Sequence, residues 1–233
     1  MFDCYNVKNC AECCCNVKPT LFFGLGKEDK EVLYQDRLEI AFKAGETIFK
    51  EDMALTHIAC VKEGFVKLST EANHSRNFLL RICQPGELFG GMGLYVNEVH
   101  QATCTAITPV KVCLININSF KNTLQSINRF AIELIKDLNA KALLSKKQAV
   151  DLTSKSMASR VADMLLYLSD IVYKSETFTT SLKRQDLADY CALTKESMIR
   201  ILKDLKESGI ITIKNNSFQI HNIHELRKIS NQY

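Results

Sequence analysis

From about Arg37 to Phe120 the apolar residues come in short runs, each closed by turn residues. Glu39–Lys43, Thr47–Lys50, His57–Val61, Gly64–Ser69, Asn77–Cys83, Cys104–Ile107 and Val110–Ile117 read as strands. The breaks fall at Lys43–Glu46, Lys62–Gly64, Gln84–Glu87 and Thr108–Pro109. Many short strands at near-regular spacing predict a β-sandwich or β-roll. Near Asn118 the period changes. Ile127, Ala131, Leu134, Leu138 and Ala142 step by three and four, with Asn128, Lys136, Asp137 and Lys141 on the other side. This predicts one long amphipathic helix reaching about Val150, with no glycine or proline in it. Its narrow apolar seam suits pairing with a second helix, and packing on its own sheet is the alternative.

The last third returns to shorter elements. Met157–Tyr173 repeats Val161, Met164, Leu165, Leu168 and Ile171 at helical spacing, and the polar loop Lys174–Thr177 follows. Two short helices come next. Gly209–Ile220 then reads as a hairpin turning at Asn215–Asn216, because asparagine tolerates the left-handed backbone of such turns. Ahead of the strands, Leu21–Leu25 and Lys27–Tyr34 form a short helical lead-in. The chain thus divides into a cysteine-rich segment (1–20), a β-roll (21–120), a pairing helix (121–151) and a C-terminal helical domain with a wing (152–233). The fold class is α+β.

Composition narrows the classes without naming one. At about 150 residues per domain, 233 residues make one or two domains. Hydrophobic residues at 46% and charged residues at 24% fit a soluble globular chain. A formal charge of +4 excludes a histone-like polycation but leaves room for a local basic surface. No apolar run reaches the roughly 18 residues that span a bilayer. Residues Met1–Lys8 lack the charged and apolar regions of a signal peptide. The expectation is a cytoplasmic protein with no membrane partner.

Ten cysteines are many for a reducing compartment, and their distribution is uneven. Cys60, Cys83, Cys104, Cys113 and Cys191 sit in apolar surroundings and read as small buried hydrophobes. Cys4, Cys10, Cys13, Cys14 and Cys15 crowd among polar neighbours and follow neither a helical nor a strand period. Cys10-x-x-Cys13 has the spacing with which two thiolates grip one metal or cluster. A thiol–disulfide switch is the rival reading.

Arg184–Leu205 is the most informative stretch. A helix-turn-helix needs two short helices crossing steeply, with small and apolar residues where they meet. Leu187, Cys191, Leu193, Met198 and Ile201 fill that shared core, and Ala188 is small enough for close approach. Thr194 stands where its hydroxyl caps the second helix. Ala192 occupies the turn position that usually carries glycine, at a strain of roughly 1–2 kcal/mol. Glu196 and Arg200 are four apart and share a face of the second helix, so a solvated salt bridge is one reading. At the start of a recognition helix the other is base readout, with Arg200 donating to guanine O6/N7 and Glu196 accepting from cytosine N4. The DNA-binding set is Thr194, Lys195, Glu196, Ser197, Ile199, Arg200, Lys203 and Lys214. Within it Lys195, Ser197, Lys203 and Lys214, with Asn215 and Asn216, face phosphates. Asp186, Asp189 and Asp204 dilute the basic character of the stretch.

A β-roll, a long helix and a winged helix-turn-helix, in this order, resemble the Crp–Fnr superfamily of bacterial transcription regulators over nearly the whole chain. The specific matches are Gly64 and Gly86 at roll turns, Gly90-x-x-Gly93-Leu94 near the effector pocket, and Thr194–Arg200 in the recognition helix. The resemblance implies a cyclic-nucleotide-binding-like β-roll and a homodimer on a palindromic site in double-stranded DNA. It also implies half-site readout by Glu196 and Arg200, and contact with RNA polymerase if the protein activates. Members that bind cyclic AMP carry a Glu after the first glycine and an Arg about ten residues later. Here Gly91 stands at the Glu position and Val99–Ala102 holds no Arg, which argues against cyclic nucleotide.

The redox-sensing branch holds a [4Fe–4S] cluster on N-terminal cysteines and one distant cysteine, and this chain resembles it more closely. Cys10 and Cys13 match the paired ligands and Cys113 the distant one. The family's third ligand would fall at Lys18–Thr20, so one of Cys4, Cys14 and Cys15 must substitute. The function implied is an oxygen- or redox-responsive DNA-binding regulator. Alternatives are the same fold sensing another ligand or none, and a metal-binding or redox protein without specific DNA binding. An enzyme is not expected. The five histidines form no His-x-His pair, and neither a nucleophile elbow nor a phosphate-binding loop occurs.

Overall fold

The computed structural model describes Gly26, Glu28, Leu33, residues 37–72 and residues 76–232. These fall into two compact units, Met1–Thr70 with Arg81–Leu143 and Glu71–Leu80 with Leu144–Tyr233.

Alternating and β-branched runs build eight strands in the first part of the chain. They are β1 (Leu38–Phe42), β2 (Thr47–Phe49), β3 (His57–Glu63), β4 (Val66–Ala72), β5 (Arg76–Cys83), β6 (Leu88–Phe89), β7 (Thr103–Ala106) and β8 (Val110–Asn116). They form two four-stranded sheets, ordered β1-β8-β3-β6 and β2-β7-β4-β5. The two-residue β6 is too short to leave a period in the sequence. Gly64 turns β3 into β4 at φ +83°, and a Cβ there would stand 2.4 Å from the Pro109 carbonyl oxygen. The turn therefore demands glycine twice over, for its backbone conformation and for its space.

On one side of the first sheet, Ile58, Cys60, Leu88, Cys113 and Ile115 pack with Leu33, Leu55, Ile117, Phe120 and Phe130. Phe120 and Phe130 meet edge to face, 5.4 Å between centroids. They come from two helices, α1 (Ile117–Ser126) and α2 (Asn128–Ser154), where the sequence predicted one. The chain breaks at Ile127, whose backbone is extended. Thr123 and Ser126 turn their hydroxyls back onto the carbonyls of Ser119 and Asn122, a local alternative to the helical ladder that periodicity does not register. The start of α1 is capped by Asn116, whose side chain accepts from the Asn118 and Ser119 amides.

The apolar face of α2 is also turned from the expected seam. Ile127, Phe130 and Leu134 pack on the core of their own unit, while Ile132, Ile135, Leu138, Leu143, Leu144 and Val150 are exposed. Packing on the own unit thus holds for Ile127, Phe130 and Leu134, and the exposed side is the one left for pairing with a second helix.

The second unit contains α3 (Met157–Leu166), a more widely wound turn at Tyr167–Val172, β9 (Thr177–Thr179), α4 (Arg184–Tyr190) and α5 (Lys195–Glu207). The strands β10 (Ile211–Lys214) and β11 (Ser217–Ile220) and the helix α6 (Ile223–Ser230) complete it. The strand order is β10-β11-β9, with Lys214 opposite Ser217 across the hairpin. Val161, Met164, Leu165, Leu168, Leu187, Met198, Phe218 and Leu226 are its buried centre. Neither β9 nor α6 was expected from hydrophobic period. The signature of α6 is its cap, in which Asn222 accepts from the Glu225 amide.

One ion network ties this unit together. The Lys155 side chain, only 5% exposed, bonds Asp163 at 2.7 Å and lies 3.5 Å from Asp151. Ser230 donates to the other oxygen of Asp163 at 2.6 Å. Burial works against the Lys155 charge, but the bond and field of Asp163, helped by Asp151, hold its titration above the usual value.

Candidate nucleic-acid interface

The residues expected to join α4 to α5 do so. Leu187, Ala188, Cys191, Leu193, Met198 and Ile201 are all buried. Ala192 takes the left-handed conformation at φ +52°. Its turn is closed by the Leu193 amide donating to the Ala188 carbonyl at 2.9 Å. Arg160 of α3 supports the turn from below, donating through Nη1 to the Cys191 carbonyl at 2.9 Å. The Cys191 thiol in turn donates to the Arg160 carbonyl. Burial pushes that thiol's pKa upward, so it stays protonated.

Thr194 caps α5 by accepting from the Ser197 amide at 3.2 Å, and its hydroxyl donates to the Ser197 side chain. Capping leaves both hydroxyls at the leading end of the helix. Beyond it the helix has two distinct sides. Met198, Ile201, Leu202 and Leu205 face the core, while Lys195, Glu196, Ile199, Arg200 and Lys203 are exposed. Among the described residues neither Glu196 nor Arg200 is held in an ion pair, so the salt bridge that their spacing allows is not formed. Lys203 lies 3.6 Å from Glu207 on the exposed surface. The hairpin tip, Lys214–Asn216, is exposed as well.

Two of the three acids that seemed to dilute this surface are occupied elsewhere. Asp186 accepts from the Lys183 amide at the start of α4. Asp189 is buried and accepts from Gln185 at 2.7 Å. Only Asp204 remains exposed on α5. A residue that sequence reasoning passed over is Arg184, which opens α4 and donates through Nη2 to the Asn215 carbonyl at the hairpin tip. No period or spacing signals that bond, because its partners are 31 residues apart.

In the first unit the glycine-rich loop after β6 is closed from within. A Cβ on Gly90 would come within 2.7 Å of the Phe49 ring. Phe49 stacks on the buried His100, 4.1 Å between centroids, and His100 Nδ1 bonds the Gly90 carbonyl at 2.9 Å. No lysine or arginine occurs between Ile82 and Val110.

Cys60, Cys83, Cys104, Cys113 and Cys191 are all buried. Burial pushes the Cys83 thiol up to about 11 and raises Cys104 as well. Cys113 lies on β8 directly opposite Cys60 of β3, in the cluster that also holds Leu33. Cys4, Cys10, Cys13, Cys14 and Cys15 lie outside the described residues. Among the described residues no group of three His, Cys, Asp or Glu side chains is placed to hold a metal ion. No helix among them is long and apolar enough to cross a membrane.

Residues 39–126 match the cyclic nucleotide-binding domain, and residues 159–229 match the Crp-like helix-turn-helix domain. The nitrogen fixation regulation protein FixK of Bradyrhizobium diazoefficiens is 28% identical, over 75% of this chain and 74% of its own length. The anaerobic regulatory protein of Bacillus subtilis is 25% identical, over 71% of this chain and 72% of its own. Among solved structures, FixK2 from Bradyrhizobium japonicum superposes with a TM-score of 0.77 at 22% identity, covering 84% of this chain and 98% of that one.

Proposed function

The chain belongs to the Crp–Fnr superfamily of transcription regulators, which are DNA-binding proteins and not enzymes, and from that premise we propose that a dimer of it reads a palindromic duplex through α5. The observation that carries this is the division of α5 into a buried apolar side and an exposed side that presents Glu196, Ile199 and Arg200 without ion-pair partners among the described residues. Arg200 donates to guanine O6/N7, Glu196 accepts from cytosine N4, and Ile199 meets a thymine methyl group. Thr194, Lys195, Ser197, Lys203 and Lys214 hold phosphates and set the register. The second half-site is read by a second copy, paired along the exposed side of α2 (Ile132, Ile135 and Leu138).

Selection of a duplex from a random pool, followed by titration of wild type and Arg200→Ala, tests this reading. Arg200→Ala should cost about 1–3 kcal/mol per half-site on the selected duplex and far less on random duplex. Equal losses on both duplexes would refute it.

The signal we propose is redox state, read through Cys10, Cys13, Cys113 and one of Cys4, Cys14 and Cys15. A [4Fe–4S] cluster on these thiolates would supply an oxygen-sensitive link between the N-terminal segment and the roll. Leu33, fully buried in the cluster of side chains that contains Cys113, supports this, because it brings the N-terminal chain onto that side of the sheet. The eighteen residues from Cys15 to Leu33 reach up to about 60 Å when extended, so distance does not limit the ligands. The name of the Bacillus subtilis relative, an anaerobic regulatory protein, points the same way. Cyclic nucleotide is not the ligand in this reading. Gly90 packs against Phe49 and His100, Gly91 stands where a Glu would hold the ribose, and residues 83–109 contain no lysine or arginine. Iron and acid-labile sulfide measured on anaerobically prepared protein test the cluster, and Cys113→Ala should lose both. Iron-free wild type would leave thiol oxidation as the signal.

A further inference from the structure

Tyr173, Phe178 and Phe218 stack in succession, with centroids 5.0 and 5.4 Å apart and planes within 8° and 11°. The Arg184 guanidinium continues the stack, 5.0 Å from the Phe218 centroid. Its Nη2 donates to the Asn215 carbonyl at 2.8 Å. Its Nη1 is buried with no hydrogen-bond partner among the described residues. A buried, unpaired donor is costly, and an arginine at the start of a surface helix would ordinarily send that nitrogen to water. Here the ring face and the carbonyl hold the group in place against that cost.

The carbonyl it binds belongs to the turn of the wing. Asn215 sits there at φ +55°, and the next carbonyl, that of Asn216, accepts from the Thr180 amide at 3.0 Å. Two consecutive carbonyls of the tip are therefore tied to the chain around the start of α4, one by Thr180 and one by Arg184. Without Arg184 the tip is held by Thr180, by the pairing of β10 with β11 and by the Thr179–Ser217 hydroxyl bond, none of which engages the Asn215 carbonyl.

We infer that Arg184 is a positioning residue, which sets the wing tip against α4 so that Lys214 and Asn215 meet the phosphates while α5 lies in the groove. This rests on the DNA-binding reading above. It assigns Arg184 to the wing rather than to a phosphate, and the two assignments behave differently. A residue that only supplies charge is replaceable by lysine, whereas a planar group that stacks and donates to a carbonyl is not.

The experiment uses the 233-residue chain and a palindromic duplex selected from a random pool by the wild type. Hydroxyl-radical footprints and salt titrations are compared for wild type, Arg184→Met, Arg184→Lys, Lys214→Ala and the double variant Arg184→Met with Lys214→Ala. Circular dichroism establishes that each is folded, and Arg184→Lys carries the test if Arg184→Met is not. The expected result is loss of the wing footprint in both Arg184 variants, roughly tenfold weaker binding, unchanged protection over α5, and no further loss when Lys214→Ala is added. Wing protection that persists in Arg184→Met, or full recovery in Arg184→Lys, would overturn the inference while leaving DNA binding intact. A wild type that selects no duplex would overturn both.

Discussion

Arg160 and Cys191 are bonded in both directions, Nη1 to carbonyl at 2.9 Å and thiol to carbonyl at 3.4 Å. The pair locks α3 to the turn between α4 and α5, so the angle at which α5 is presented depends on a residue outside the helix-turn-helix. Arg160→Met strips the Cys191 carbonyl of its donor and should cost about 1–3 kcal/mol of stability. Guanidinium denaturation checks this. An unchanged midpoint would mean that water replaces the guanidinium without loss.

Ala192→Gly should stabilise the protein. The left-handed backbone at Ala192 costs an alanine about 1–2 kcal/mol, and glycine gives back about 0.5–1 kcal/mol as chain entropy. The expected net gain is about 0.5–1 kcal/mol in the same denaturation measurement, with DNA affinity unchanged.

Lowering the pH from 7 toward 5.5 should destabilise the first unit through His100. Burial depresses its titration below the ordinary 6.5, with a small push from His57, although the bond to the Gly90 carbonyl works the other way. A histidine depressed by folding binds more protons when unfolded, so its contribution is complete above about 6.5 and is lost as the pH falls toward its folded value. His100→Gln should flatten the dependence of melting temperature on pH in this window. An identical slope in the variant would assign the effect to other groups.

Ile135→Lys should separate the dimer without unfolding the chain, because Ile135 is exposed at 56% and packs on no core of its own. Sedimentation should show the monomer mass. Affinity for the full palindrome should fall by about 100-fold or more, the loss expected when two half-sites are no longer bound by one particle. A variant that sediments as a dimer would place the pairing surface elsewhere.

The strands, the helix-turn-helix core and the wing turn were legible because each rests on a local rule. Alternation marks β3 and β8, three-and-four spacing marks α5, and paired asparagines mark the hairpin. What escaped depends on which partner each side chain takes, whether a turn away or far along the chain. The rotation of α2 is decided by where Phe120 and Phe130 meet, and the break at Ile127 by hydroxyls that compete with the helix. The engagement of Asp186 and Asp189 is a matter of capping and burial, so counting charges overstated the acidity of the surface. Arg184 looked like one more basic residue because its partners, Asn215 and Phe218, lie more than thirty positions on.

The ring stack has one further consequence. The chain contains no tryptophan, so its ultraviolet emission comes from tyrosine. Tyr173 stands in that stack, and Tyr167 and Tyr190 face each other 5.2 Å apart in the same unit, whereas Tyr95 lies exposed in the other. Of the four described tyrosines, three therefore report on the second unit. A tryptophan introduced into the β-roll would give that unit a fluorescence signal of its own.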